Sequence, residues 1–539
     1  MLKSKKLLLL IITFTLTYSS LLGNEDSTEE DTIELKFNKN LTEETMVNGK
    51  KYKVFRAIPD TQEQLNFLLK LYQDHSRGIE MDFWKKPTAI FAAVDVMIKE
   101  DDIKVFCDSL NNESISSYVI VDDVQKLIEE REATSRRNQK IYETMHQYDD
   151  STNSTTDERY NFHSYSSYPK MQKWMKALSI KYSHFVKYIT IGKTHEGRNI
   201  DGLEIGGNDR RKKIFWIDGG IHAREWAAPH TALYFIHQLT SRYGNDKNIT
   251  NYVDKLAWII IPSLNPDGYE FSRSIFSPTI RLWRKNRSPP KCYIDDWGRK
   301  RCCRGVDLNR NFDFHFKEAG SSDDPCSEIY QGETPFSEPE SAAVRNTIFS
   351  PTYKGRFDGF VTLHTYSQIW IHPYGHKKDS YPGDINDLYA VGKKAAKALK
   401  QLYGTEYVVG SGADTLYPAS GGSEDWAKSK ANIKFVYLLE LRPDEHNWDG
   451  FILKERELIP TATETWIGIK VVADAIIDRL KTQQPSRESS SRYHFGNGGE
   501  GSCYDLRYAC KRWVQENESL CKEIPEFMRT QCSYSCGYC

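Results

Sequence analysis

The chain lacks an excess of either charge. Its 73 Lys and Arg stand against 74 Asp and Glu, leaving a formal net charge of −1 over 539 residues. That balance provides no long-range field to hold nucleic acid or an anionic membrane. After the first two dozen residues there is no apolar run long enough to span a bilayer. The signature of a disordered chain is missing as well, because a hydrophobic fraction of 39% is enough for ordinary globular cores. At roughly 100–200 residues per domain, the length allows three or four domains.

What is present begins with an export signal. Lys3, Lys5 and Lys6 precede the apolar run from Leu7 to Leu16, and small or polar residues follow at Ser19, Ser20 and Gly23. This layout fits a cleaved signal peptide over 1–23, with Ser20 and Gly23 both open as the cleavage point. A single membrane anchor is the competing reading, and the run is short for it. Of eleven cysteines, six fall between Cys503 and Cys539. Cysteine that dense in an exported segment reads as a disulfide framework. Sequons for N-glycosylation occur at Asn40, Asn112, Asn153, Asn248, Asn286 and Asn517. The expected location is therefore extracellular.

Composition separates the remainder into parts. Residues 24–157 form one unit. Lys53–Ile58 alternates like a strand, and Asp60 and Thr61 offer a cap before Leu65, Phe67, Leu68 and Leu71 at helical spacing. Asp95–Ile98 and Ser117–Val121 read as further strands. Asp122 and Asp123 can cap a helix bearing Val124, Leu127 and Ile128. Arg131, Arg136, Arg137 and Lys140 follow, beside a polar stretch from Asp149 to Asp157. Basic residues there suit a trypsin-like protease, and an interdomain linker with incidental charge fits equally well. Residues 158–482 alternate buried-looking strands (Ile214–Ile217, Leu256–Ile261, Phe360–Leu363, Phe435–Leu439) with amphipathic helices. One helix carries Ala232, Phe235, Ile236, Leu239 and Tyr243 and stops at Gly244. This predicts an α/β domain with a largely buried sheet. A Ser- and Gly-rich linker over 483–501 leads to the six-cysteine part, 502–539.

The third part carries the chemistry. His222 and Glu225 follow the first of those strands, and His364 stands at the end of another. Ligands in α/β sheets gather outside the carboxyl ends of strands. Two imidazoles and one carboxylate make a catalytic zinc set with a position left open, whereas a structural zinc usually takes four ligands, often cysteines. By itself the pair His222 and Glu225 is a weak signal, and its spacing differs from the helical His-Glu-x-x-His. His372 and His376 have helical spacing too, but Pro373 and Gly375 between them argue for a loop.

The neighbouring motifs make the set specific. Asn265–Tyr269, Arg281–Arg287, Gly305–Asn311, His364–Tyr366, Tyr417–Trp426 and Leu439–Arg442 follow in order. Together they resemble the carboxypeptidase A/B family of zinc metallopeptidases, and the resemblance covers nearly all of the third part. The second part resembles that family's activation segment, including Asp82-Phe83-Trp84. The implied architecture is a mixed sheet flanked by helices, preceded by an α+β open-sandwich prodomain over about 45–130 and followed by a small disulfide-rich helical module.

The resemblance implies roles. One Zn2+ would be held by His222, Glu225 and His364, with Asp307 orienting His222. Glu440 matches the glutamate that takes a proton from water and passes it to the leaving amine. Without the motif, a structural ion pair of Glu440 with Arg442 would be the plainer reading. Arg284 matches the stabiliser of the oxyanion. Arg310 matches the reader of the substrate's terminal carboxylate, with Asn309 and Tyr417 adding bonds and Arg224 facing substrate further up the cleft. Left without a carboxylate, a buried Arg310 disfavours internal peptide segments. Glu424 occupies the base of the side-chain pocket and Gly412 lies near it. An acidic residue there accompanies Lys or Arg ends, and an internal pairing of Glu424 is the alternative. Thr365 replaces the usual serine and keeps its hydroxyl.

Cys303 and Cys326 match a family disulfide. Cys292 and Cys302 could pair, although a swap between Cys302 and Cys303 stays open, and Cys107 would be single. The tail, with Trp513 and Met528, resembles the ShK toxin-like module. That resemblance implies Cys503–Cys539, Cys510–Cys532 and Cys521–Cys536 among the fifteen pairings that six cysteines permit. Glu526 and Phe527 stand where channel-blocking relatives carry Lys and Tyr, so targeting or a protein partner is expected of the tail. The whole reads as a secreted carboxypeptidase precursor acting on peptide and protein C-termini. The alternative is an inactive relative that only binds.

Overall fold

A computed structural model describes residues 51–73, 79, 81–132, 160–274, 277–294, 298, 300–447, 450–483, 510–517, 519–523, 525–533 and 535–538. The signal peptide, Arg136, Arg137, Lys140, the polar stretch to Asp157, the 484–501 linker, Asn40, Asn153, Cys503 and Cys539 lie outside the described residues.

The second part forms a four-stranded antiparallel sheet, β1 (Tyr52–Ile58), β2 (Met81–Lys85), β3 (Val94–Lys99) and β4 (Ser116–Val121), in the order β2-β3-β1-β4. Helices α1 (Gln62–Gln73) and α2 (Ile103–Asn112) pack on it through Leu68, Leu71, Phe106 and Leu110. Thr61 Oγ1 accepts from Gln64 N, while Gln64 Oε1 accepts from Asp60 N. This reciprocal pairing satisfies amides that a helix start leaves open. Asp123 Oδ1 accepts from Lys126 N and starts the next helix as expected.

The third part is built on an eight-stranded mixed sheet in the order β13-β12-β14-β11-β7-β8-β6-β5. The strands are β5 (Val186–Lys193), β6 (Asn199–Ile205), β7 (Lys213–Gly219), β8 (Leu256–Ile261), β11 (Phe357–Ser367), β12 (Ile369–His372), β13 (Val408–Ser411) and β14 (Phe435–Asp444). A hairpin of β9 (Lys291–Ile294) and β10 (Lys300–Cys303) stands apart. The centre, β14-β11-β7-β8, is parallel. Helices α3 (Ala227–Arg242), α4 (Pro339–Ile348), α5 (Ile385–Tyr403) and α6 (Leu458–Gln483) flank it. The four strands expected from apolar runs are these central ones. They are buried on both faces, which is why they read as continuous hydrophobic stretches.

Two expectations are corrected. His372 is the last residue of β12 and only 2% exposed, its Nδ1 bonded to Pro373 O, whereas His376 is in the loop. Asn286 is 0% exposed with its amide donating to Glu338 and Glu340, so no glycan fits there. Asn112, Asn248 and Asn517 are exposed. Among the described residues no helix is long and apolar enough to cross a membrane.

Cys292 pairs with Cys302 and Cys303 with Cys326, while Cys107 is free. In the tail, Cys510–Cys532 and Cys521–Cys536 form as expected. Three short helices there enclose Met528 against Cys510 and Cys532, with Trp513 packed alongside. The side chains of Glu526 and Phe527 lie outside the described residues.

Candidate active site

The carboxyl ends of β7, β11 and β14 deliver the site. The chain turns at Gly220, whose φ is +62°. A Cβ there would also meet Pro229 Cγ at 2.8 Å, so glycine is needed on both counts. His222 and Glu225 occupy the loop between this turn and α3. His364 lies within β11 and pairs in register with Glu440 on β14. His222 Nδ1 is 2.7 Å from Glu225 Oε1, and His364 Nδ1 is 3.1 Å from both His222 Nδ1 and Glu225 Oε2. All three are at most 3% exposed. Two imidazole nitrogens and a carboxylate thus converge on one point beside the cleft, a donor set that fits zinc with a coordination position to spare. Thr365 N donates to Glu225 Oε2, so the residue after the third donor helps hold the carboxylate, while its hydroxyl has no partner.

Charge is layered around that point. Asp307 Oδ1 bonds His222 Nε2 at 3.1 Å, and its Oδ2 accepts from Arg284 Nη2 at 2.8 Å. Burial would protonate Asp307, but Arg284 and His222 outweigh it and hold the carboxyl well below the usual carboxylate range. Glu440 is half-buried at the cleft with Oε2 unpartnered, and burial pushes its carboxyl up to about 7. The anticipated alternative, an ion pair of Glu440 with Arg442, is not formed. Arg442 bonds Glu457 and Glu464 instead.

Arg310 and Asn309 sit in the 3-10 turn Leu308–Arg310, which Asp307 caps through Asn309 N. Arg310 donates to Gly320 O, Asn309 O and, at 3.4 Å, Tyr417 Oη. Asn309 Oδ1 accepts from Ser423 N. Glu424 stands in the first turn of the Ser423–Ser429 helix, 8% exposed, its Oε2 without a partner. No ion pair of Glu424 exists among the described residues. Gly375 and Gly412 line the same cleft. A Cβ on Gly375 would come within 3.8 Å of Glu424 Oε1, so side chains there would fill the space above the carboxylate. Burial, then the charge of Glu424, raises Asp425 well above the usual range.

The second part covers this cleft. Asp82 accepts from Arg224 Nη1 at 2.8 and 3.0 Å, and Tyr366 Oη donates to Trp84 O at 3.1 Å. Lys86 Nζ bonds Tyr417 Oη and lies 4.5 Å from the tyrosine ring centre. Burial, then Arg284 and Arg310, push this ammonium well below its usual range. Further out, Arg281 stacks 3.5 Å above Trp226 and bonds the buried Glu132 at 2.5 Å. With Phe83, Trp84, Lys85 and Lys86 in place, the cleft keeps about 150 Å³. Small-ligand pockets span roughly 300–1,000 Å³, so the docked segment leaves the cleft narrower than an ordinary binding site. In sequence the family signal of this segment ends with Asp82-Phe83-Trp84. Lys86 gives no signal before docking shows which arginines it meets.

A His-Glu-His set at the carboxyl ends of the central parallel strands, with Arg284 and Arg310 beside it, is the arrangement of a metal-dependent hydrolase. Residues 171–468 match the zinc carboxypeptidase family, residues 55–131 its activation peptide and residues 502–539 the ShK domain-like family. The chain belongs to the zinc carboxypeptidase family. It is a metallocarboxypeptidase with one catalytic zinc and a propeptide. It is 36% identical over 429 residues to carboxypeptidase A2 of Mus musculus, covering 79% of this chain and 94% of that one. To carboxypeptidase B of Astacus astacus it is 40% identical over 315 residues, 58% of this chain and 98% of that one. Among solved structures, thrombin activatable fibrinolysis inhibitor superposes with a TM-score of 0.65 at 28% identity, covering 79% of this chain and 99% of that one. Carboxypeptidase A from Helicoverpa armigera superposes with a TM-score of 0.68 at 26% identity, covering 80% and 99%.

Proposed function

We propose that this chain is a secreted precursor whose activated form removes C-terminal Lys or Arg from peptides and proteins. Cleavage by a trypsin-like protease near Arg137 would free the cleft. His222, Glu225 and His364 would hold the zinc, which when bound supplies a Lewis acid that lowers the pKa of water. Glu440 takes a proton from the attacking water and gives it to the leaving amine. An upward-shifted carboxyl suits both halves of that transfer near neutral pH. Arg284, oriented by Asp307, donates to the developing oxyanion. Arg310, Asn309 and Tyr417 bind the terminal carboxylate, and Arg224, freed from Asp82, faces the chain upstream.

The observation that supports the basic preference is Glu424. A carboxylate 8% exposed with an unpartnered oxygen is strongly disfavoured unless a cation arrives to pair with it. The glycines above it leave the room a long basic side chain needs. Glu424 is one methylene longer than the aspartate of the basic-specific pattern, and its carboxylate folds back over Gly422, where a Cβ would stand 2.7 Å from Oε1. Glu424→Ala is expected to lower kcat/KM for Lys and Arg ends by about 30-fold or more while sparing apolar ends, since losing one partner of a buried charge pair costs about 2–5 kcal/mol. Equal loss on every substrate would defeat the assignment. Nothing in the site favours the inactive-binder alternative, because all the donors and Glu440 are in place.

A further inference from the structure

Away from the cleft, one nitrogen of His195 and one oxygen each of Glu338 and Glu340 lie within 4.8 Å of one another. Among the described residues, this group and the catalytic one alone bring three such donors together. His195 stands in the turn between β5 and β6, and Glu338 and Glu340 flank Pro339 at the start of α4. His195 Nε2 is 2.8 Å from Glu338 Oε2. Asn286 Nδ2 donates to Glu338 Oε2 at 2.7 Å and to Glu340 Oε2 at 3.0 Å. The orientation of that amide is fixed, because its Oδ1 accepts from Val306 N and Ser288 N. Ser337 Oγ donates to Glu338 Oε1. One oxygen is left over. Glu340 Oε1 has no hydrogen-bond partner, although Glu340 is 0% exposed.

Two buried carboxylates face one imidazole, and no Lys or Arg makes an ion pair with either glutamate among the described residues. Burial pushes the Glu340 carboxyl up to about 7 and the neighbouring Glu338 raises His195, so near neutral pH the empty cluster offsets its charge by holding protons. A divalent cation with a neutral imidazole would replace those protons, two charges against two. The donor set of one nitrogen and two carboxylates suits zinc and its transition-metal neighbours. Calcium and magnesium ask for six or more oxygens. The His195 side chain is 26% exposed and provides the way in.

We propose that His195, Glu338 and Glu340 form a second, non-catalytic site for a divalent cation of the zinc class, its fourth position taken by water entering past His195, clamping the β5–β6 turn to the start of α4. The ion takes the place of the proton between His195 Nε2 and Glu338 Oε2 and engages the idle oxygen of Glu340. It stays out of the chemistry, but Asn286 joins it to the loop that carries Arg284 and to Val306 beside Asp307.

The test uses the full-length precursor equilibrated with buffered free zinc, followed by elemental analysis. Two zinc ions per chain are expected in the wild type and one in His195→Ala, which should retain full activity after trypsin. Glu225→Gln should lose the catalytic ion and keep the other. Thermal unfolding adds a second readout. The midpoint of the wild type should rise by several degrees as zinc is added beyond the first equivalent, and that of His195→Ala should not. A single zinc in the wild type would overturn the proposal. So would a second zinc that persists in both His195→Ala and Glu340→Gln.

Discussion

Two clusters among the described residues bring three imidazole and carboxylate donors together, in inverse proportion and in different company. His222, Glu225 and His364 have Asp307, Arg284 and Arg310 close behind them and open onto a cleft. His195, Glu338 and Glu340 have an asparagine amide and no guanidinium. Surplus positive charge around the first cluster makes it a place where an anionic substrate end is welcome. The two buried carboxylates of the second make it a place for the proposed cation. The activation segment respects the same difference. It covers the first cluster with Asp82, Trp84 and Lys86, and Asp82 gives Arg224 a carboxylate before any substrate does.

The comparison can be broken at the first cluster most severely. Glu440→Gln should lower kcat by about 10²–10⁴-fold with catalytic zinc retained, as expected for loss of a general base and acid. An unchanged kcat in the zinc-loaded variant would remove Glu440 from the chemistry. Next in size is the cover. Asp82→Ala leaves Arg224 buried without its carboxylate, and truncating one partner of such a pair costs about 2–5 kcal/mol. The cleaved activation segment should then dissociate at least about 30-fold faster, read as a faster rise of activity after trypsin. An unchanged lag would show that the apolar contacts of Trp84 with Tyr366 and Phe451 hold the segment without help.

The smallest effect sharpens the electrostatic part. Lys86 is held below its ordinary range, by burial and then by the arginines, while the segment is docked. Between that lowered value and 10.5, the docked state binds fewer protons than the released one. Docking therefore strengthens as pH rises through that window and weakens as pH falls. Release after trypsin should be faster at the lower end of the window, and Lys86→Met should flatten the dependence. A flat dependence in the unsubstituted protein would mean that Lys86 stays charged against the arginines.

Much of this was legible in the order of residues. Strands β7, β8, β11 and β14 announce themselves because both of their faces are buried, so no polar alternation interrupts them. The flanks of the sheet were not legible. β6 carries Asp201, Gly202 and Glu204, and β12 and β13 have four residues each, too few for a period to show. His372 was read as loop because Pro373 and Gly375 follow it, and its four-residue strand offered no period against that. Each catalytic residue was named from its motif, since spacing alone says little about His222 and Glu225. What the motifs omit is contact between distant segments. Lys86 meets Tyr417 only because the second part docks. Asn286 lies in a sequon that says nothing of burial, and His195 is brought to Glu338 by sheet packing.

The account rests on the claim that the covered cleft is a basic-end carboxypeptidase once opened. The direct measurement is to treat the purified precursor with trypsin in the presence of zinc and offer matched peptides ending in Lys, Phe and Glu. Release of the terminal Lys in clear preference, abolished by a chelator and restored by zinc, is the predicted result. No release of any terminal residue from the activated, zinc-loaded protein would contradict it.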